Sequence, residues 1–100
     1  MNIYDAPEAY EKLISQNADG TEQVKLTINE FRGTEYLHLR KYYLDFDGDF
    51  KPSKDGVAMA LDFQNSKALF EGLVEILSLA EVKDTLETHF KDILDEIYLN

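Results

Sequence analysis

Residues 24–43 read VKLTINEFRGTEYLHLRKYY, and the alternation within this stretch decides the fold. Val24, Leu26 and Ile28 interleave with Lys25, Thr27 and Asn29, a period of two that predicts a strand ending near Phe31. Arg32-Gly33-Thr34 supplies a turn. Beyond it, Leu37, Leu39, Lys41 and Tyr43 fall on one face of a second strand, and Tyr36, His38, Arg40 and Tyr42 on the other. So short a connection joins antiparallel strands, because a parallel pair needs a long crossover.

Outward from this hairpin, Asp47-Gly48 signals a second turn between aromatic flanks. Phe50-Lys51-Pro52 predicts a brief third strand at an edge, since Pro52 has no N–H for a ladder bond. Lys54-Asp55-Gly56 reads as the next turn and Val57 to Phe63 as a fourth strand. Ahead of the sheet, Asp5 with Glu8 has capping-box spacing, Tyr4 and Ala9 hold the staple positions, and Pro7 suits a first helical turn. Ala6, Tyr10, Leu13 and Ile14 then line one side of a helix that Asn17-Ala18-Asp19-Gly20 stops.

After the sheet, with Asn65 or Ser66 as cap, Leu69, Leu73, Ile76, Leu77 and Ala80 make an apolar helical stripe. Val82, Leu86, Phe90, Ile93, Leu94 and Ile97 continue it. Ser78 with Glu81 repeats the capping-box spacing, so residues 66–98 read equally well as two helices or one bent one. The expected class is α+β: a four-stranded antiparallel curved sheet followed by a helix, with an added N-terminal helix and a C-terminal helical extension. The corresponding division is residues 1–20, 21–80 and 81–100. Helices cover only one face of such a sheet economically, which leaves the other for a ligand or a second subunit.

One hundred residues, 44% of them apolar, suffice for one domain with a real core. The formal charge of −10 by itself argues against nucleic acid or an anionic membrane as partner. Its distribution reverses that inference for nucleic acid. Residues 1–22 carry one basic and five acidic side chains, and residues 68–100 two basic and eight acidic. Residues 23–67 are neutral, with seven of each, and hold both arginines. The absence of cysteine excludes disulfide and thiolate chemistry. No apolar run approaches a membrane span and the N-terminus does not resemble a signal peptide, so the expectation is a cytoplasmic protein with no membrane partner.

Catalysis is not indicated. Asp45, Asp47 and Asp49 alternate as at the start of a calcium loop, but Gly48 comes two positions early and Gly56 stands where the twelfth-position Glu belongs. His38 and His89 lack metal-ligand spacing, and no nucleophile elbow, P-loop or dinucleotide fingerprint occurs. The expectation is a protein without cofactor that is not an enzyme. The central segment interleaves aromatic and basic residues instead: Phe31-Arg32-Gly33, Arg40-Lys41-Tyr42-Tyr43, and Phe50-Lys51-Pro52-Ser53-Lys54. Single-stranded nucleic acid asks for this mixture, flat rings for bases and cations for phosphates. The plainer alternative makes Phe31 and Tyr43 core aromatics and the cations a solvated face.

In residues 24–77 these motifs resemble the transcription positive cofactor four family, small coactivators whose C-terminal domain binds single-stranded DNA. The run is Phe31-Arg32-Gly33, Leu37-x-Leu39-Arg40-x-Tyr42-Tyr43 and Asp45-x-Asp47-Gly48-x-x-Lys51-Pro52-Ser53-Lys54-x-Gly56-Val57. The resemblance implies a homodimer whose curved sheets form adjacent grooves for single strands. It carries base stacking to Phe31 and Tyr43 and phosphate contacts to Arg32, Arg40, Lys51 and Lys54; Lys25 completes the candidate DNA-binding set. Tyr42 matches the family tyrosine before the stacking aromatic, with a role in the fold as its alternative. Tyr43 replaces the usual Trp, Asp55 a usual Lys, and the segment before the helix is longer, with Phe70 the nearest aromatic equivalent. The expected acidic N-terminal helix and added C-terminal helix, in place of a Ser-rich regulatory leader, fit a bacterial or bacteriophage homologue. The implied function is a homodimeric, largely sequence-nonspecific single-stranded DNA-binding protein in transcription, replication, recombination or repair, with transcription or replication proteins as further partners. The alternatives are an acidic dimeric protein-interaction module on the same fold, and RNA binding on the same surface.

Overall fold

The computed structural model describes Ile3 and residues 6–99. Four strands, β1 (Glu8–Gln16), β2 (Glu22–Phe31), β3 (Thr34–Leu44) and β4 (Phe50–Ala60), precede two helices, α1 (Phe63–Ser78) and α2 (Lys83–Leu99). The strands make one antiparallel sheet in the order β1-β2-β3-β4, so sequence neighbours are spatial neighbours. The chain separates into two compact units, Met1–Asn65 and Ser66–Asn100. The expected sheet followed by helices is present.

Turn chemistry explains the meander. Arg32 (φ 54°) and Gly33 (φ 83°) alone connect β2 to β3, both left-handed, as the two-residue turn that matches strand twist requires. Between β1 and β2, Asp19 Oδ1 accepts from both the N–H and the hydroxyl of Thr21, and Asn17 Oδ1 from the N–H of Glu22. Those bonds, the Thr21 hydroxyl first, hold the Asp19 carboxyl below its ordinary range. Between β3 and β4, Asp45 Oδ1 accepts the N–H groups of Asp47 and Asp49. The aspartates thus build a hairpin tip, and no group of three metal-ligating side chains occurs among the described residues.

Three sequence expectations need correction. The segment expected as an N-terminal helix is strand β1, paired with β2 from Glu8↔Asn29 to Gln16↔Gln23. A helix cap contributes only about 1 kcal/mol, whereas β1 pairs the ladder groups of what would otherwise be an open sheet edge. Pro7 precedes the strand and removes no ladder bond; the expected cap Asp5 and staple residue Tyr4 lie outside the described residues.

The expected third and fourth strands are one strand, β4, ending at Ala60 rather than Phe63. What reads as a turn at Lys54-Asp55-Gly56 is a bulge. Tyr42 pairs with Pro52 and Arg40 with Gly56, so Ser53, Lys54 and Asp55 face Lys41 alone. Ser53 Oγ closes it, donating to Lys41 O at 2.9 Å and accepting from the Asp55 N–H at 3.1 Å. Gly56 is obligatory here, because a Cβ would lie 2.6 Å from Leu39 O and 2.7 Å from Arg40 Cα.

The cap of α1 is neither Asn65 nor Ser66. Asp62 Oδ1 accepts the Asn65 N–H at 2.7 Å, and the Asn65 side chain donates to Ala60 O. The helical segment resolves as two helices broken at residues 79–82. Ser78 donates to Glu75 O within α1 instead of capping α2. In the second unit Phe70 and Phe90 join the helices, ring centroids 5.8 Å apart. Most of the apolar stripe, including Leu73, Ile76, Ile93 and Ile97, is exposed.

Candidate nucleic-acid interface

Register sorts the candidate residues. Lys25 pairs with Arg40, Thr27 with His38, Asn29 with Tyr36 and Phe31 with Thr34, so these side chains share one face. Tyr43 pairs with Lys51 and both project from the other. Thr34, opposite Phe31, is nine residues from Tyr43, about 30 Å at the ordinary strand rise. One chain therefore does not bring Phe31 and Tyr43 into one groove. Lys54 stands on the β4 bulge and Arg32 in the β2–β3 turn.

The middle of the Lys25–Phe31 face is polar and closed. Thr27, Asn29, His38 and Arg40 are all buried, His38 to 1% exposure. The Asn29 side-chain amide donates to Ile3 O at 2.7 Å, which leaves its Oδ1 to accept from His38 Nε2 at 2.9 Å. The His38 proton is therefore on Nε2, and Nδ1 faces Arg40 Nη2 at 3.5 Å as an acceptor. Burial first, and the Arg40 charge second, hold the His38 pKa below its ordinary value, against an opposing pull from Glu8. Arg40 Nη1 donates to Ser53 O at 3.1 Å, tying the strip to the bulge. Arg40, assigned to phosphate by resemblance, is placed inside the sheet's polar core with 5% exposure.

The two ends of this face differ. At one, Lys25 Nζ lies 4.6 Å above the Tyr42 ring and 5.9 Å from that of Phe50, and forms a 2.6 Å ion pair with Glu11 of β1. Beside it the Tyr42 hydroxyl donates to Glu8 Oε1 at 2.6 Å. Burial, then that hydrogen bond, raise the Tyr42 pKa well above the ordinary phenol value. At the other end Arg32 is exposed, its guanidinium 5.0 Å over the Phe31 ring, and no carboxylate pairs with it among the described residues. On the second face Tyr43 is 48% exposed and Lys51 approaches Asp45 at 4.0 Å.

Sequence reasoning quoted Phe50 beside Lys51 in the aromatic and basic mixture but left it out of the candidate set, and it missed Glu8 and Glu11 as parts of this surface. The two glutamates were not legible, because their position depends on the pairing of β1.

A family model described as transcriptional coactivator p15 (PC4) matches residues 19–65, which include β2, β3, β4 and all seven candidate residues. A putative RNA polymerase II transcriptional coactivator of Caenorhabditis elegans is 29% identical over 69 residues, 62% of this chain and 51% of the relative. The chain thus spans about half the length of the curated relative it matches. A solved bacteriophage T5 homologue of the eukaryotic coactivator PC4, implicated in recombination-dependent DNA replication, matches at 29% identity with a TM-score of 0.65. That match covers 83% of this chain and 94% of the phage protein. A PC4 homologue from Burkholderia pseudomallei shares the fold at 24% identity, with a TM-score of 0.52 over 67% of this chain and 97% of its own. Over residues 19–65 the sequence thus matches the family of the transcriptional coactivator p15 (PC4), and over most of the chain the fold matches that of a phage homologue of PC4.

Proposed function

We propose that the protein is a homodimeric, largely sequence-nonspecific single-stranded DNA-binding protein acting in transcription, replication, recombination or repair. Bases stack on Phe31 and Tyr43, and Arg32, Lys51, Lys54 and Lys25 hold phosphates, while Arg40 braces the sheet that presents them. The carrying observation is Arg32. A left-handed conformation costs an L-residue roughly 1–2 kcal/mol and Gly or Asn adopts it more readily, yet an arginine stands there with φ 54°. Its guanidinium covers an aromatic ring at the tip of a rigid hairpin. An exposed cation on a half-buried ring can serve both the phosphate and the base of one nucleotide.

Dimerisation is supported by the exposed apolar stripe of α1 and α2, which a second copy would cover. With Phe31 and Tyr43 at separate ends and on opposite faces of the β2–β3 hairpin, each chain offers two separate stacking points. The test titrates labelled oligo-dT and a duplex of equal length at increasing salt. Preference for the single strand, weakened by salt through counterion exchange, is expected; no binding at low salt overturns the reading. The second reading, an acidic protein-interaction module, draws on the carboxylate already paired with Lys25, and that null titration is the outcome it requires.

A further inference from the structure

We propose that β1 is a built-in competitor for nucleic acid, its Glu11 and Glu8 carboxylates occupying the positions that a bound strand's phosphates take at Lys25 and Tyr42. The inference rests on the single-strand-binding reading above and adds a determinant of affinity to it. Lys25 is the cation of the Phe31 face set among aromatic rings, over Tyr42 at 4.6 Å and near Phe50 at 5.9 Å. Tyr42 is itself buried, at 4% exposure, and Phe50 half-buried, so the rings wall the cation, and its charge is cancelled by Glu11 at 2.6 Å. The neighbouring donor, the Tyr42 hydroxyl, is taken by Glu8, also at 2.6 Å. A carboxylate and a phosphate make the same charge-assisted hydrogen bonds to such donors, so one displaces the other without rebuilding the site.

The strand that carries the competitors is suited to yield. β1 is an edge strand, exposed at all nine positions, and its register shifts twice, between Glu8 and Tyr10 and between Leu13 and Ser15. It also precedes residues 19–65, the segment matched by the family model. The Lys25 side chain is only 13% exposed while Glu11 is 48% exposed, so the acid is the partner that swings to solvent more readily. A strand binding at Lys25 thus exchanges a tethered anion rather than a free counterion, and Lys25 adds little to the salt dependence of the native protein.

The experiment measures oligo-dT affinity against salt for the native protein and for Glu11→Gln, Lys25→Ala, the double variant, and Glu30→Gln. Glu30 is exposed and two register steps from Ile28, on the face opposite Lys25. Glu11→Gln is expected to tighten binding about two- to fivefold, the scale of a part-exposed ion pair. Its log–log salt slope should steepen by about 0.7, one added phosphate contact on a single strand. Lys25→Ala in the Glu11→Gln background should abolish that gain. An equal gain from Glu30→Gln, or a gain that survives Lys25→Ala, assigns the effect to net charge and overturns the proposal. Native binding unchanged in Glu11→Gln overturns the competitor alone, whereas no binding by any folded form at low salt overturns the single-strand reading itself. If circular dichroism shows Glu11→Gln unfolded, Glu8→Gln replaces it, with a smaller gain expected and no gain overturning the proposal.

Discussion

Lys25 and Arg32 belong to one hairpin, and each lies over an aromatic ring of the same face, yet they are in opposite states. Lys25 is enclosed by Tyr42 and Phe50 and neutralised by Glu11. Arg32 stands in solvent over Phe31, with no carboxylate partner among the described residues. The difference arises from β1, which runs beside the Lys25 end and supplies two carboxylates there. Availability of a cation is thus decided by the strand next door and not by the residues flanking it in sequence. Between the two ends, the Asn29–His38–Arg40 strip keeps the hairpin rigid, so that the ends stay distinct.

The largest expected effect breaks that rigid middle. Gly56→Ala drives a methyl into Leu39 O and Arg40 Cα, and overpacking against backbone costs about 3 kcal/mol, read from a denaturant midpoint. Next, Phe31→Ala at the open end should weaken oligo-dT binding by about 2 kcal/mol through lost stacking, with stability little changed. Tyr43→Ala should cost about 1 kcal/mol by the same assay, at the low end for a lost stacking contact; equal losses would mean that the two ends of β3 grip alike. Arg32→Asn keeps a residue tolerant of the left-handed turn and removes the charge. It should leave stability equal or higher while flattening the salt slope by about 0.7.

The smallest effect tests the middle by pH. The His38 pKa is depressed in the folded chain, so the unfolded state binds the proton more readily. Its contribution to stability is complete above the ordinary value of 6.5 and is lost as pH falls below it. His38→Gln should remove that part of the fall between pH 7 and 5 in thermal melts, and an unaltered pH profile would mean that the strip does not depend on a neutral imidazole.

Much of the sheet was legible because strand alternation is local. Val24, Leu26 and Ile28 against Lys25, Thr27 and Asn29 admit only one period, and the Arg32-Gly33 turn sets the register of both strands. Residues 8–16 were not legible, because Tyr10, Leu13 and Ile14 satisfy a helical stripe and the caps agree with it; only the open edge of β2 selects the strand. Likewise Pro52 and Gly56 read as breakers, whereas β4 accommodates both within a bulge that Ser53 closes.

The sequence by itself determined the β2–β3 hairpin, the concentration of cations and rings in residues 23–67, and the match of residues 19–65 to a coactivator family. Each depends on residues close together in the chain. Tertiary structure decided that Arg40 braces the interior, that Phe31 and Tyr43 part to opposite faces, and that Lys25 is held by Glu11. Those outcomes follow from strand register and from pairing across 14 residues of chain between Glu11 and Lys25, where a shift of one residue turns every side chain to the other face.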